Sequence, residues 1–169
     1  VHYAGDTSVS ESVSDPAVYY DRNVARAVTL FDALVKCGVT RFVYSSSASV
    51  YGTPAVTPID EDHPLRPISP YGRTKLIIEQ FLGDLDRAHA TRHVSFRYFN
   101  AAGGTPTRGE RHTPETHLIP NVLRAACGES GAITVFGDDH ATPDGTAIRD
   151  YVHVSDLADA HAHALTHLR

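Results

Sequence analysis

The chain contains no methionine, no tryptophan, only two cysteines, and no Gly-x-x-Gly-x-x-Gly segment. Cys37 and Cys127 stand far apart without the paired spacing of a zinc ligand set. Neither a disulfide framework nor a metal centre is therefore expected, and a reducing, cytoplasmic compartment fits. Lys and Arg number 15 against 20 Asp and Glu, and the net charge of −5 provides no basic surface for nucleic acid. No apolar run approaches bilayer-spanning length, and Val1-His-Tyr-Ala-Gly5 lacks the charged-then-apolar order of a signal peptide. A soluble protein with no membrane or nucleic-acid partner is expected. With no initiator, Val1-His-Tyr-Ala-Gly5 reads as the tail of a strand that meets its turn glycine almost at once.

What is present is ordinary globular material: 169 residues at 41% hydrophobic content can bury a core. Residues 4–14 read as a polar loop. Asp15-Pro16 is a helix start and Cys37-Gly38 a helix stop, bracketing Val24, Val28, Phe31, Leu34 and Val35 as one long crossover helix. Val39 to Tyr44 reads as a buried parallel strand, followed by a loop with five prolines between Pro54 and Pro70. A helix from Pro70 to near Ala88 carries Leu76, Phe81 and Leu85, and His93 to Tyr98 is the next strand. Beyond the polar stretch 105–115, His117 opens a helix, Ile133 to Phe136 reads as a short strand, and Ser155 caps a last helix over Asp156 to Leu168. The fold class is α/β with a parallel sheet.

The chemistry concentrates in Ser69-Pro-Tyr-Gly-Arg-Thr-Lys75. With Ser69 as cap and Pro70 in the first turn, Tyr71 and Lys75 are i and i+4 and share a helix face. An ammonium and the positive end of a helix dipole both favour a phenolate, so Tyr71 is a candidate acid/base with its pKa lowered. Glu79, four residues on, is expected to pair with Lys75. Ser45-Ser-Ser-Ala-Ser-Val-Tyr-Gly52 follows the first strand, where open α/β sheets bind ligands. Taken without Tyr71 and Lys75, that serine cluster is equally a flexible polar turn. Arg149 suits a diphosphate because a guanidinium fork bonds phosphate oxygens in pairs. His163 and His167, i and i+4 on the last helix, have no acidic or cysteine ligand in step, so no metal is expected.

Ser-Ser-Ser-Ala-Ser-Val-Tyr-Gly, Ser-Pro-Tyr-Gly-Arg-Thr-Lys, Arg97-Tyr-Phe-Asn-Ala-Ala-Gly103 and Thr142-Pro-Asp-Gly-Thr-Ala-Ile-Arg-Asp-Tyr-Val-His-Val154 occur in that order. Together they resemble the extended short-chain dehydrogenase/reductase family, in particular its UDP-sugar 4-epimerases. The resemblance runs the whole length of the chain. It implies a partial doubly wound parallel, Rossmann-type sheet with helices on both faces, plus the start of a smaller substrate-binding domain. Residues 1–104 would be the later part of the NAD-binding domain, and 105–169 a substrate-binding segment with a returning helix. Because the family places its glycine-rich fingerprint upstream, the chain is expected to be an internal piece of a longer protein, with no turnover from residues 1–169 alone.

The resemblance also implies roles. Ser47, Tyr71 and Lys75 would be catalytic, with Ser47 near the sugar O4. NAD would be held by Ala4, Gly5, Asn23, Ser45, Tyr71, Lys75 and Tyr98, and a UDP-sugar by Ser47, Asn100, His117, Leu118, Phe136 and Arg149. Competing readings stand beside several of these: Asn23 as a solvated helix residue, Asn100 as an ordinary turn residue, Leu118 and Phe136 as core. His117 departs from the Asn common in the family. A homodimer is implied for the full-length protein. A dehydratase of the family would carry Thr-Asp-Glu where this chain has Ser47-Ala-Ser49, so the acids needed to eliminate water are missing.

Overall fold

The computed structural model describes residues 1–135 and 137–168. Strand β1, Arg41–Ser45, pairs in parallel with β2, Arg92–Phe96, aligning Arg41 with Arg92 and Ser45 with Phe96. On the other side of β1, His2 forms a parallel bridge with Tyr44: its amide donates to the Val43 carbonyl at 2.8 Å and its carbonyl accepts from Ser45 at 3.1 Å. The N-terminal residues therefore end, as anticipated, alongside a strand.

Side chains alternate across β1, so its two faces bury different partners. Phe42 and Tyr44 pack with Ala27 and Phe31 of α3, Arg26–Lys36, and with Ile78, Leu82 and Leu85 of α4, Pro70–His89. Val43 faces the opposite way, onto Ala164 and Leu168 at the end of α6, Val154–His167. Helices thus cover both faces, as a parallel sheet requires. On α4 the buried aliphatic positions are Ile78, Leu82 and Leu85, whereas Leu76 and Phe81 are half-buried.

The segment before β1 is more structured than its polar composition suggests. Ser8 caps a short helix α1, Val9–Ser14, where a loop was expected; its hydroxyl accepts from the Glu11 amide at 3.2 Å. The crossover helix is not continuous either. Asp15 caps α2, Pro16–Tyr19, a π-helical stretch occupies Tyr20–Ala25, and only then does α3 begin. A π-turn is a local widening that commonly sits beside a functional site, and here it carries Asn23 inward.

The chain divides into two units, one comprising Val1–Phe99 with Asp159–Arg169 and the other Asn100–Ala158. In the second, β3, Asn100–Ala102, pairs in parallel with β4, Tyr151–His153, and α5 spans Leu118–Ala126. Residues 133–135 form no strand, contrary to expectation, because no strand among the described residues pairs with them; Phe136 lies outside the described residues. The final helix begins at Val154, so Ser155 is not its cap, and the Ser155 amide donates to His153 Nδ1 at 3.2 Å.

Candidate active site

Ser69 caps α4 as the sequence predicts, its hydroxyl accepting from the Gly72 amide at 3.1 Å, with Pro70 at the first position. Tyr71 and Lys75 consequently lie on one face and are both buried, at 8% and 4% exposure. The lysine Nζ is 5.7 Å from the Tyr71 ring centroid and 5.1 Å from that of Tyr44. Its ammonium donates to the Ser45 carbonyl at 2.8 Å, joining the helix to the end of β1. The Tyr71 amide donates at 3.2 Å to the hydroxyl of Ser12 on α1, so the unexpected helix seats the first turn of α4.

Beyond β1 the three serines turn inward, each to a different partner. The Ser45 hydroxyl meets the Tyr98 hydroxyl in a short bond, and Ser46 donates a short bond to the Glu79 carboxylate. Ser47 faces the Tyr71 phenol, whose pKa it lowers, and caps the 3-10 turn Ala48–Val50, accepting from the Ser49 amide at 3.1 Å. The cluster is therefore a buried, fully engaged turn. Gly72 lets α4 come this close, since a Cβ there would lie 2.5 Å from the Ser49 carbonyl oxygen.

Two electrostatic expectations are corrected. Burial raises the Tyr71 pKa; Ser47 lowers it and Tyr98 raises it, leaving the net shift upward where a lysine-driven lowering was expected. Burial likewise lowers Lys75 to about 8. Nor does Glu79 pair with Lys75. The Arg97 guanidinium, just after β2, donates to it as a fork, Nε to Oε1 at 3.1 Å and Nη2 to Oε2 at 2.7 Å. Arg97 also donates to the Tyr51 hydroxyl at 3.2 Å.

Asn23 is buried rather than solvated. Its amide nitrogen donates to the Asp6 carbonyl at 2.9 Å and to the Thr74 hydroxyl at 3.4 Å, while its oxygen accepts from the Asp6 amide at 2.8 Å. The Gly5–Asp6 turn is thereby tied to the helix carrying Tyr71. Gly5 has φ +152°, and a Cβ on it would stand 2.9 Å from Asn23 Oδ1, so the close approach needs glycine. Ala4 and Gly5 are exposed. Because His2 bridges Tyr44, they lie at the same carboxyl end of the sheet as Ser45 and Ser47. Ala4, Gly5, Asn23, Ser45, Ser47, Tyr71, Lys75 and Tyr98 thus belong to one strand-end region. Sequence reasoning missed Ser12, Thr74 and Arg97; Arg97 stands beside Tyr98 in the Arg97–Gly103 motif and was the available signal.

The other proposed contacts belong to the second unit. Asn100 opens β3 rather than a turn, and its amide nitrogen donates to the Asp150 carbonyl at 2.8 Å, beside Arg149 in the chain. Arg149 and Leu118 are exposed. His117 stands at the N-terminus of α5, with Nδ1 2.8 Å from Glu115 and 3.3 Å from Glu110. Glu110, His112 and His117 bring three metal-type donors within 4.8 Å of one another, all on exposed residues, with both imidazole rings in contact with the Glu110 carboxylate. On α6, the His161 ring packs between Tyr3 and Phe96, at centroid distances of 4.9 and 4.5 Å.

Comparison with known proteins agrees with this architecture. The chain is similar to the UDP-glucose 4-epimerase of Lactobacillus helveticus, 48% identical over 170 residues, covering 99% of this chain and 52% of the relative. Its fold is similar to that of the Brucella ovis UDP-glucose 4-epimerase solved in complex with NAD, with a TM-score of 0.93 at 49% identity over 99% of this chain and 52% of that one. It is also similar to the Bifidobacterium longum UDP-glucose 4-epimerase solved with NAD+ and UDP, with a TM-score of 0.89 at 40% identity, again over 99% of this chain and 52% of that one. The chain spans about half the length of the curated relatives it matches. The model of the NAD dependent epimerase/dehydratase family matches residues 1–169, and with Tyr71, Lys75 and the serine turn gathered at the carboxyl end of a parallel sheet, the chain belongs to that family.

Proposed function

We propose that this chain carries the acid/base centre of a UDP-sugar 4-epimerase, acting on UDP-glucose and UDP-galactose. The observation that supports it most is the meeting of Tyr71, Lys75 and Ser47 in a buried corner where two parallel strands end. Tyr71 takes the proton of the sugar 4-hydroxyl, and Ser47, facing the phenol, holds and relays it. Lys75, anchored on the Ser45 carbonyl, keeps a positive charge beside that phenol. NAD, when bound, supplies a hydride acceptor and donor for sugar C4 and a positive charge that favours phenolate.

The residues present suit that cofactor: the exposed Ala4–Gly5 backbone and the serine turn lie at the same carboxyl end of the strands, the position at which such sheets take dinucleotides. Asn23 acts by holding the Gly5–Asp6 turn. Tyr98 acts at the same strand end through Ser45. For the nucleotide, Asn100, His117, Leu118, Phe136 and Arg149 are the proposed contacts, Arg149 through paired bonds to the diphosphate. Binding energy concentrated on the UDP leaves the sugar free to turn over between hydride removal and return. A dehydratase reading finds no support in Ala48 and Ser49, which offer no acid for loss of water. We also propose a homodimer and cytoplasmic residence for the full-length protein; no described helix is long and apolar enough to cross a membrane.

The test is conversion of UDP-galactose to UDP-glucose by the full-length protein with NAD. Turnover is expected, and Tyr71→Phe is expected to abolish it, with a loss of about 10²-fold or more. A Tyr71→Phe protein with the unaltered rate would sink the assignment. Turnover confined to UDP-N-acetyl sugars would move it to another epimerase of the family.

A further inference from the structure

Glu79 is the third member of the stripe that begins with Tyr71 and Lys75, and the proposed chemistry does not use it. Its environment is unusual for a helix glutamate. It is buried, it receives the Arg97 fork, and it accepts the hydroxyl proton of Ser46. Three successive helix-face residues therefore meet three successive serines: Tyr71 faces Ser47, Lys75 donates to the Ser45 carbonyl, and Glu79 accepts from the Ser46 hydroxyl. Arg97 precedes Tyr98, whose hydroxyl bonds Ser45, so the two ends of β1 and β2 are drawn to one carboxylate.

We infer that Glu79 and Arg97 form a positioning pair for the acid/base centre: acting through Ser46, the carboxylate sets the serine turn so that Ser47 stays on the Tyr71 phenol. This rests on the reading of Tyr71 given above. A buried ion pair is not in itself a strong source of stability, and an apolar pair of similar volume often serves as well. What an apolar pair cannot do is fix the Ser46 hydroxyl. The turn it fixes sits between two residues that face the reaction, and a displacement of about 1 Å there can cost about 10²-fold in rate.

The consequence is readable in pH dependence. The titratable groups facing the Tyr71 phenol are Lys75 on its own helix, Tyr44 on β1, Tyr98 after β2, and Tyr19 on α2, whose hydroxyl donates to Glu11. None of these changes when Ser46 is replaced. Ser47 lowers the Tyr71 pKa, so a turn that drifts away from the phenol moves the phenolate-dependent limb of the rate to higher pH.

The experiment uses the full-length protein with Ser46→Ala, Glu79→Gln, Ser47→Ala and the double variant S46A/S47A, measuring kcat, KM, pH profile and thermal midpoint. Ser46→Ala leaves the Arg97 fork in place. It is expected to lower kcat about 10-fold with KM held within about 2-fold. Its rate limb should move to higher pH in the direction that Ser47→Ala moves it, and the double variant should add nothing further. Glu79→Gln should match it, and if that variant fails to fold, Ser46→Ala alone decides. A Ser46→Ala protein with unaltered kcat and limb, or additive shifts in the double variant, overturns the inference. An active Tyr71→Phe protein removes the underlying reading; a dead Tyr71→Phe beside an unaffected Ser46→Ala removes only this one.

Discussion

Lys75 shows what the site demands of a single residue. A lysine enclosed by two tyrosine rings, with the Ser45 carbonyl as its hydrogen-bond acceptor, is costly to keep charged, and burial lowers its pKa from 10.5 to about 8. The unfolded chain holds that proton up to the ordinary lysine pKa, so between about pH 8 and 10.5 it binds more protons than the folded chain. Stability from this group therefore rises with pH across that window, and below it the folded state bears the whole cost, at most about 3 kcal/mol. Lys75→Met is expected to be inactive yet more stable at pH 7 by about 1–3 kcal/mol. Urea unfolding at pH 7, 8, 9 and 10 should show that advantage shrinking; an advantage constant with pH would mean the charge carries no such cost. The shared face of Tyr71 and Lys75 was legible from i,i+4 spacing. The upward shift of Tyr71 was not, because depth of burial is set by Tyr19, Tyr44 and the serine turn, which come from other elements.

At the scale of the element, α4 is both a core helix and the carrier of the site. Its apolar positions Ile78, Leu82 and Leu85 each contribute about 1.5–3 kcal/mol of burial against α3 and β1. Its other stripe grips the strand ends. Gly72 is where the two duties meet, because helix propensity and close approach make opposite demands there. Alanine would improve the helix by about 1 kcal/mol. Its Cβ would, however, stand 2.5 Å from the Ser49 carbonyl oxygen and 3.0 Å from Pro67, and backbone cannot yield without shifting the turn that holds Ser47. The clash wins: Gly72→Ala is expected to lower stability by about 1–3 kcal/mol and to reduce turnover more than its stability loss explains. Equilibrium denaturation and kcat on the same protein check this, and a more stable Gly72→Ala would show the approach to be looser than the structure has it. The caps of α4 and α2 could be read directly as Ser-Pro and Asp-Pro. Helix α1 could not, since six residues with one buried serine carry too little periodicity to declare a helix.

Across the whole molecule, the two units differ in how much they bury. The first contains the aromatic and aliphatic core around β1, with Phe31, Val43, Ile78 and Leu82 almost wholly enclosed. In the second, α5 has no buried residue, and Leu118, Ile119, Val122 and Leu123 are exposed. Hydrogen exchange of this chain should accordingly find the amides of β1 and α4 slowest and those of α5 among the fastest. Equal protection in both would contradict that division of stability. The sequence alone determined the α/β class, the parallel strand before the serine cluster, the capped helix that bears Tyr71 and Lys75, and the family that its four ordered motifs resemble. Those are local features: caps, turn residues and i,i+4 faces act within a few residues, where chain connectivity leaves little choice of partner. Only the tertiary structure decided that Glu79 takes Arg97 over Lys75, that Asn23 turns inward on a π-turn to hold the Gly5–Asp6 backbone, and that each serine has its own partner. Those outcomes join groups 17 to 53 residues apart. Packing geometry and the cost of leaving a buried polar group unpaired select them, and neither can be computed from spacing along the chain.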